Sequence, residues 1–189
     1  MSSEKIRCTW CGTDPLYMKY HDEEWGSPVK DDETLFEFLL LETFQAGLSW
    51  ITILRKRENF RAAFDNFDYK KIAQYEQSKI DSLLQDEGII RNKLKVNSAV
   101  TNAKLFMEIQ KEFGSFSNYL WGFVNHKPIK NVWKKYTDAP ANTTESDALS
   151  KDLKKRGFKF VGSTVMYATM QATGMVNDHI EDCFRYNQV

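Results

Sequence analysis

Leu83-Leu84-Gln85-Asp86-Glu87-Gly88-Ile89-Ile90-Arg91-Asn92-Lys93-Leu94-Lys95 reads as helix, glycine, two apolar residues, arginine, helix. This is the outline of a helix–hairpin–helix, covering about residues 79–106. Gly88 permits a left-handed turn. Ile89 and Ile90 anchor the hairpin in the core. The first N–H groups of the second helix lack partners within it, so they point outward and can take a phosphate oxygen. Arg91, Lys93 and Lys95 add positive charge at the same end. Contacts of this kind fix position on a nucleic acid without reading its sequence. A plain αα-corner with solvated basic side chains has the same outline. A second basic run, Lys151, Lys154, Lys155, Arg156 and Lys159, interleaved with Phe158 and Phe160, is open to the same two readings: groove flank or solvated face.

Outward from the hairpin the pattern stays helical. Asp31 or Asp32 caps a helix carrying Leu35, Phe36, Phe38, Leu39, Leu40 and Phe44, and Gly47 breaks it. Ser49 caps the next, from Trp50 to about Phe64. Short helices follow Asp68 and Ser78. Asn92 caps a long one that stops at Gly114, and Ser117 opens a shorter one. Ser146 caps Asp147–Arg156, and Ser163 or Thr164 opens Val165–Thr173. Residues 1–30 read as loop-rich, with Gly12, Pro15, Gly26 and Pro28, and residues 125–144 as a loop or small excursion. No strand alternation or internal repeat stands out. The class is all-α.

The 189 residues suffice for one well-cored domain, and formal charge balances at zero, so any basic face is local. Five Trp, eight Tyr and thirteen Phe exclude disorder and suit an aromatic-lined pocket. The opening Met1-Ser2-Ser3-Glu4-Lys5 is polar, with no signal peptide, and no apolar run has membrane-spanning length. Three Cys without an export signal point to a reduced, cytoplasmic setting, with thiols free or on metal.

Cys8-Thr9-Trp10-Cys11 is a Cys-x-x-Cys knuckle, His21 follows it, and His179 and Cys183 stand near the other end. His-x-x-x-Cys places the last two on one face of a helical turn. Thiolate and imidazole are zinc ligands, and four protein ligands make a closed, structural site. Two sets are open at this point: Cys8, Cys11, His179 and Cys183, which spacing favours, or Cys8, His21, His179 and Cys183. Either would bring the two chain ends together. His21-Asp22-Glu23 also matches His-x-Glu of zinc deaminases, but the Pro-Cys-x-x-Cys that should follow downstream is missing.

Glu42 follows Leu39-Leu40-Leu41 and precedes Phe44, on a stretch apolar nearly all round, with Gln45 on the same side. A carboxylate there is buried, partnered or facing a cavity. It is either a pocket acid, set across a helix–turn–helix corner from Trp50, or half of a structural pair with Arg55, Arg57 or Arg61.

Tyr20-His21-Asp22-Glu23-Glu24-Trp25-Gly26, Leu41-Glu42, Gln45-Ala46-Gly47-Leu48-Ser49-Trp50-Ile51-Thr52, Gly88-Ile89-Ile90-Arg91, Lys154-Lys155-Arg156-Gly157-Phe158-Lys159-Phe160-Val161-Gly162 and Val176-Asn177-Asp178-His179 closely resemble the 3-methyladenine DNA glycosylase I family, and the likeness runs along nearly the whole chain. The resemblance implies a single 1–189 domain of the helix–hairpin–helix DNA glycosylase fold, in two lobes with the base pocket between them. It implies one structural zinc on Cys8, His21, His179 and Cys183, joining segments 8–21 and 179–183 and leaving Cys11 as an extra thiol. It implies Glu42 as the catalytic-site acid and Tyr20, Trp50, Trp10 and Tyr17 as base-binding residues. Gly47 and Leu48 would enter the duplex where the base has left, and Gly88, Ile89, Ile90, Arg91 and Lys93 would meet the DNA backbone. The implied activity is hydrolysis of the N-glycosidic bond, by a monomer without organic cofactor, releasing 3-methyladenine from alkylated double-stranded DNA. A DNA-damage sensor that does not hydrolyse, and a zinc hydrolase, are the rival readings.

Overall fold

In the computed structural model, which describes residues 5–189, α2 (Asp32–Gln45) is the central helix. Leu35, Phe36, Phe38, Leu39, Leu40, Leu41 and Phe44 bury every face of it, as a helix apolar all round must. Asp31 caps it, its Oδ1 accepting from Thr34 N at 2.8 Å. α3 (Trp50–Ala63), α6 (Lys93–Phe113), α7 (Phe116–Gly122) and α9 (Ser163–Ala172) all touch α2. The remaining helices are α1 (Pro15–Glu23), α4 (Tyr69–Ile72), α5 (Gln77–Gln85) and α8 (Thr144–Arg156). The described residues are therefore mostly helical, as expected, and none of their helices is long and apolar enough to cross a membrane. Residues 1–4 of the polar opening segment lie outside the described residues.

Four local expectations are corrected. The loop-rich first thirty residues contain α1, whose start carries its own signal: Asp14 Oδ1 accepts from Leu16 N and Tyr17 N at 2.9 and 3.2 Å, with Pro15 at the first helical position. Ser115, not Ser117, caps α7. Thr143 caps α8, and Ser146 closes the reciprocal capping box three residues on. Gly162 holds the N-cap position of α9, which starts at Ser163.

The unpatterned 125–144 stretch is tied to the C-terminal segment by a two-stranded parallel sheet. β1 (Ile129–Lys130) pairs with β2 (Val176–Asn177), and a bridge joins Trp133 to Ile180. Strands of two residues carry no alternation to read. His179–Cys183 is likewise not a helical turn. Its backbone bonds run sideways, His179 N to Asn177 Oδ1 at 3.1 Å and Glu181 N to Trp133 O at 3.0 Å, and the chain then turns.

Candidate functional site

Cys8, His21, His179 and Cys183 meet in the interior, with their ligand atoms all within 4.8 Å of one another. Cys8 Sγ lies 3.5 Å from His179 Nδ1, and Cys183 Sγ lies 3.5 Å from His21 Nε2 and 3.4 Å from His179 Nδ1. The outward ring nitrogens are fixed too. His21 Nδ1 faces Asp22 Oδ1 at 2.9 Å, and Arg7 clamps that carboxylate at 2.8 Å. His179 Nε2 reaches the carbonyl of Trp25 at 3.1 Å. Histidines that ligate metals are oriented in this way. Hydrogen bonding between the two thiols pushes Cys8 up and Cys183 down. A divalent cation at the centre would bind both sulfurs as thiolates and release their protons. The donor set suits a metal, and the cluster links the two ends of the chain.

Cys11, the alternative ligand, stands outside the cluster. Its thiol donates to the carbonyl of Cys8 at 3.1 Å, so the knuckle turns one sulfur inward and the other onto backbone. Glu23, the Glu of His-x-Glu, is exposed and near Lys19, away from the cluster, which leaves the deaminase arrangement without its acid.

Beside the cluster lies a cavity of about 310 Å³ lined by Trp10, Tyr17, Tyr20, Glu42 and Trp50, all five aromatic and acidic pocket candidates. α1 supplies Tyr17 and Tyr20, the last turn of α2 supplies Glu42 and Gln45, and α3 begins at Trp50. The Tyr20 and Trp50 rings are 5.5 Å apart at 45°. Trp10 meets Tyr17 edge-on at 4.9 Å.

Glu42 is 3 % exposed, and its Oε2 has no hydrogen-bond partner among the described residues. None of the three arginines weighed as its partner reaches it. Arg55 pairs with Asp14, Arg57 with Glu24 and Glu37, and Arg61 with Glu37 and Glu58. Burial without a counter-ion pushes the Glu42 carboxyl up to about 8. Burial, and after it Glu42, push the Tyr20 hydroxyl well above its ordinary range, so it remains a proton donor. The indole N–H groups of Trp10 and Trp50 are also buried without partners among the described residues. Buried polar atoms left unmade in an open cavity are poised for a ligand.

Trp25, Tyr136, Ala168 and Gln171 line the same cavity, and sequence reasoning missed them. Tyr136 sits in the aperiodic loop, with no local cue. Gln171 had one: it is a polar residue on α9 between buried Met170 and Ala172, the same anomaly that flagged Glu42. Its Nε2 donates to the buried carboxylate of Asp178 at 2.8 Å.

Gly47 and Leu48 form the exposed turn between α2 and α3, at the cavity's edge next to Gln45 and Ser49. Gly47 has φ +83°, which a side chain would strain. Gly88 corrects the left-handed expectation, since its φ is not positive. Space is what requires glycine there: a Cβ would lie 2.9 Å from Asp86 Oδ1 and 3.1 Å from Asn59 Cβ. From α3, Lys56 Nζ donates to the carbonyls of Glu87 and Gly88 at 3.0 and 3.3 Å, and Asn59 Nδ2 to that of Gly88 at 3.2 Å. Ile89 is buried and Ile90 half-buried. Arg91 and Lys93 are exposed, and the N–H groups of Lys93 and Leu94 make no hydrogen bond among the described residues. In the second basic run, Arg156 is structural, bound to Glu112 and Asp152 and lying over Phe113 and Tyr119.

A family profile described as methyladenine glycosylase matches residues 10–186. The chain is 48 % identical over 180 residues to DNA-3-methyladenine glycosylase 1 of Escherichia coli, covering 95 % of this chain and 96 % of that one. It is 50 % identical over 177 residues to the DNA-3-methyladenine glycosylase of Haemophilus influenzae, covering 94 % and 96 %. A tyrosine-to-phenylalanine variant of 3-methyladenine DNA glycosylase I, solved in complex with 3-methyladenine, superposes with a TM-score of 0.91 at 37 % identity, covering 94 % of this chain and 96 % of that one. The chain belongs to the methyladenine glycosylase family.

Proposed function

We infer that the protein removes 3-methyladenine from alkylated double-stranded DNA, hydrolysing the N-glycosidic bond as the first step of base-excision repair. The observation that carries this reading is the unpaired, buried Glu42 beside Trp50 and Tyr20 in a cavity of about 310 Å³. That volume is at the small end of ligand pockets and suits one base swung out of its stack.

Methylation at N3 makes the adenine cationic, so its bond to the sugar is already weak and the base departs neutral. Trp50, Tyr20, Trp10 and Tyr17 surround it with ring faces and edges, and a cation over an aromatic face gains about 0.5–2 kcal/mol. In the free protein Glu42 holds a proton at neutral pH, because burial lifts its carboxyl to about 8. An arriving cation favours the carboxylate, which then accepts from the exocyclic amine side of the base. As the bond breaks, positive charge moves from base to sugar. A carboxylate on the base edge therefore stabilises the ground state as much as the transition state. Glu42 acts chiefly in recognition, while the labile bond and base flipping supply most of the rate. No lysine is among the described residues lining the cavity, which supports hydrolysis without strand cleavage.

Leu48, exposed on its turn, fills the gap left by the flipped nucleotide. The free N–H groups at the start of α6, with Arg91 and Lys93, hold the backbone. Zinc is the ion that two thiolates and two imidazoles suit, as one structural ion with no open position. The chain works as a monomer in one domain of two lobes, inside the cell with the DNA.

Base release from methylated duplex DNA, with adenine and 7-methylguanine followed in parallel, tests the reading. Release of 3-methyladenine alone is the expected result. Tight lesion binding with no base released would make the protein a damage sensor and overturn it.

A further inference from the structure

Lys95 is a lysine where a core residue would be expected. It sits in the first turn of α6, beyond the hairpin, and is only 5 % exposed. Its Nζ does not point toward the DNA-facing end with Arg91 and Lys93. It runs inward, donating to the carbonyls of Phe44 at 2.8 Å and Ala46 at 2.7 Å. These carbonyls close the C-terminus of α2, where the helix ladder leaves acceptors unpaired and the dipole is negative. Burying an ammonium is costly unless it is well bonded, so an apolar residue would serve packing more cheaply. What the lysine adds is a fixed, directional link between two segments about fifty residues apart in sequence.

Both segments belong to the surface proposed above to meet the DNA. The C-terminus of α2 carries Glu42 and Gln45 in the cavity wall and leads directly into Gly47 and Leu48. The start of α6 presents the free N–H groups of Lys93 and Leu94. The turn between α2 and α3 is otherwise lightly held: Leu48 N bonds back to Gln45 O, and the Ser49 hydroxyl meets only that of Thr52, at 2.8 Å. A Cβ added at Gly47 would meet nothing within 4 Å.

We propose that Lys95 is a positioning residue for base flipping: its ammonium locks the turn bearing Leu48 to the hairpin, so that backbone clamp, wedge and pocket acid meet the duplex as one rigid face. The proposal rests on the glycosylase reading given above. Lys95 touches neither base nor phosphate. It acts through the turn, and small misplacements of reacting groups cost about 100-fold in rate.

The test is a double-mutant cycle of Lys95→Met with Leu48→Ala, read in two ways. Lys95→Met is expected to slow single-turnover release of 3-methyladenine by about 10- to 100-fold. Affinity for undamaged duplex and for free 3-methyladenine should stay within about twofold, because neither needs the wedge. In the Leu48→Ala background the same change should cost less than about threefold, since the element it positions is already gone. Preference for an abasic-site duplex over an intact one, measured without any chemistry, should fall in parallel. If Lys95→Met unfolds below assay temperature, Lys95→Gln, which keeps an amide donor group but loses the charge, replaces it in the cycle. Additive losses, or equal losses of undamaged-DNA affinity and of release, would overturn the proposal. A wild-type protein that shows the abasic-site preference but releases no base would instead refute the glycosylase reading and leave the positioning role standing.

Discussion

Trp25 joins the Cys/His cluster to the aromatic cavity: its carbonyl holds His179 Nε2 at 3.1 Å while its indole meets Trp10 edge-on at 4.9 Å. The His179 ring lies 4.7 Å from the same indole. The cluster therefore does more than fasten two chain ends. It sets the back wall against which the cavity aromatics pack: Trp25 meets His179, and Trp10 meets His21 with ring centroids 5.4 Å apart.

Metal removal is expected to loosen the fold and the cavity together. Two buried imidazoles and two thiols would be left facing one another, and folding free energy would be lost with the metal. Chelation, or Cys183→Ala, should lower the thermal midpoint by about 10 °C or more, as a loss of several kcal/mol does in a chain this size. Near-UV circular dichroism of the cavity tryptophans should fade in step. Activity lost with the near-UV signal intact would point to a catalytic metal instead.

Glu42 predicts an unusual pH dependence of stability. Its folded carboxyl titrates near 8, above the ordinary 4.5. Between those values the folded state keeps a proton that the unfolded state has lost. Stability from this group is full below about 4.5, falls as pH rises to about 8 and levels off above. Glu42→Gln removes the penalty, so the variant should gain about 2–4 kcal/mol over wild type at pH 9 relative to pH 5. Urea unfolding at both pH values measures the difference.

The same variant separates recognition from chemistry. Glu42→Gln should weaken 3-methyladenine binding by about 10-fold or more, as loss of a charge-assisted hydrogen bond does. At saturating enzyme the single-turnover rate should fall much less. Abolished chemistry with binding intact would make Glu42 an agent of bond breaking.

The two glycines proposed to face DNA should fail differently. Gly88→Ala meets Asp86 Oδ1 at 2.9 Å and Asn59 Cβ at 3.1 Å, so these side chains, which hold the hairpin, must give way. Stability should drop by about 1–3 kcal/mol, with weaker binding of any duplex. Gly47→Ala meets nothing within 4 Å but carries φ +83°. It should cost about 1–2 kcal/mol in strain and slow base release while leaving undamaged-DNA affinity alone. Chemical denaturation and duplex titration distinguish the two.

Much of the frame was legible because it is written locally. Asp31 and Asn92 cap α2 and α6 where the sequence says they should, and Gly114 and Gly157 stop their helices with positive φ. α1 was missed although Asp14-Pro15 announces it. The glycines and prolines around it suggested loop, yet each marks an end of the helix or lies outside it. Gln171 was overlooked for want of applying to α9 the argument applied to α2.

By itself, the sequence determined most of the helices, the zinc-like donor types and the presence of the Glu42 carboxylate on the apolar stretch of α2. Caps, turns and periodicity act over three or four residues, and neighbours in the chain carry that information. Tertiary packing alone decided the rest. It turned Cys11 onto the Cys8 carbonyl, drew the three nearby arginines to other acids, and brought Tyr136 and Gln171 to the wall facing Glu42. Each of these outcomes depends on which groups the packed helices and loops bring within reach of one another. That is set by how whole helices bury their apolar faces, over separations at which no local pattern survives.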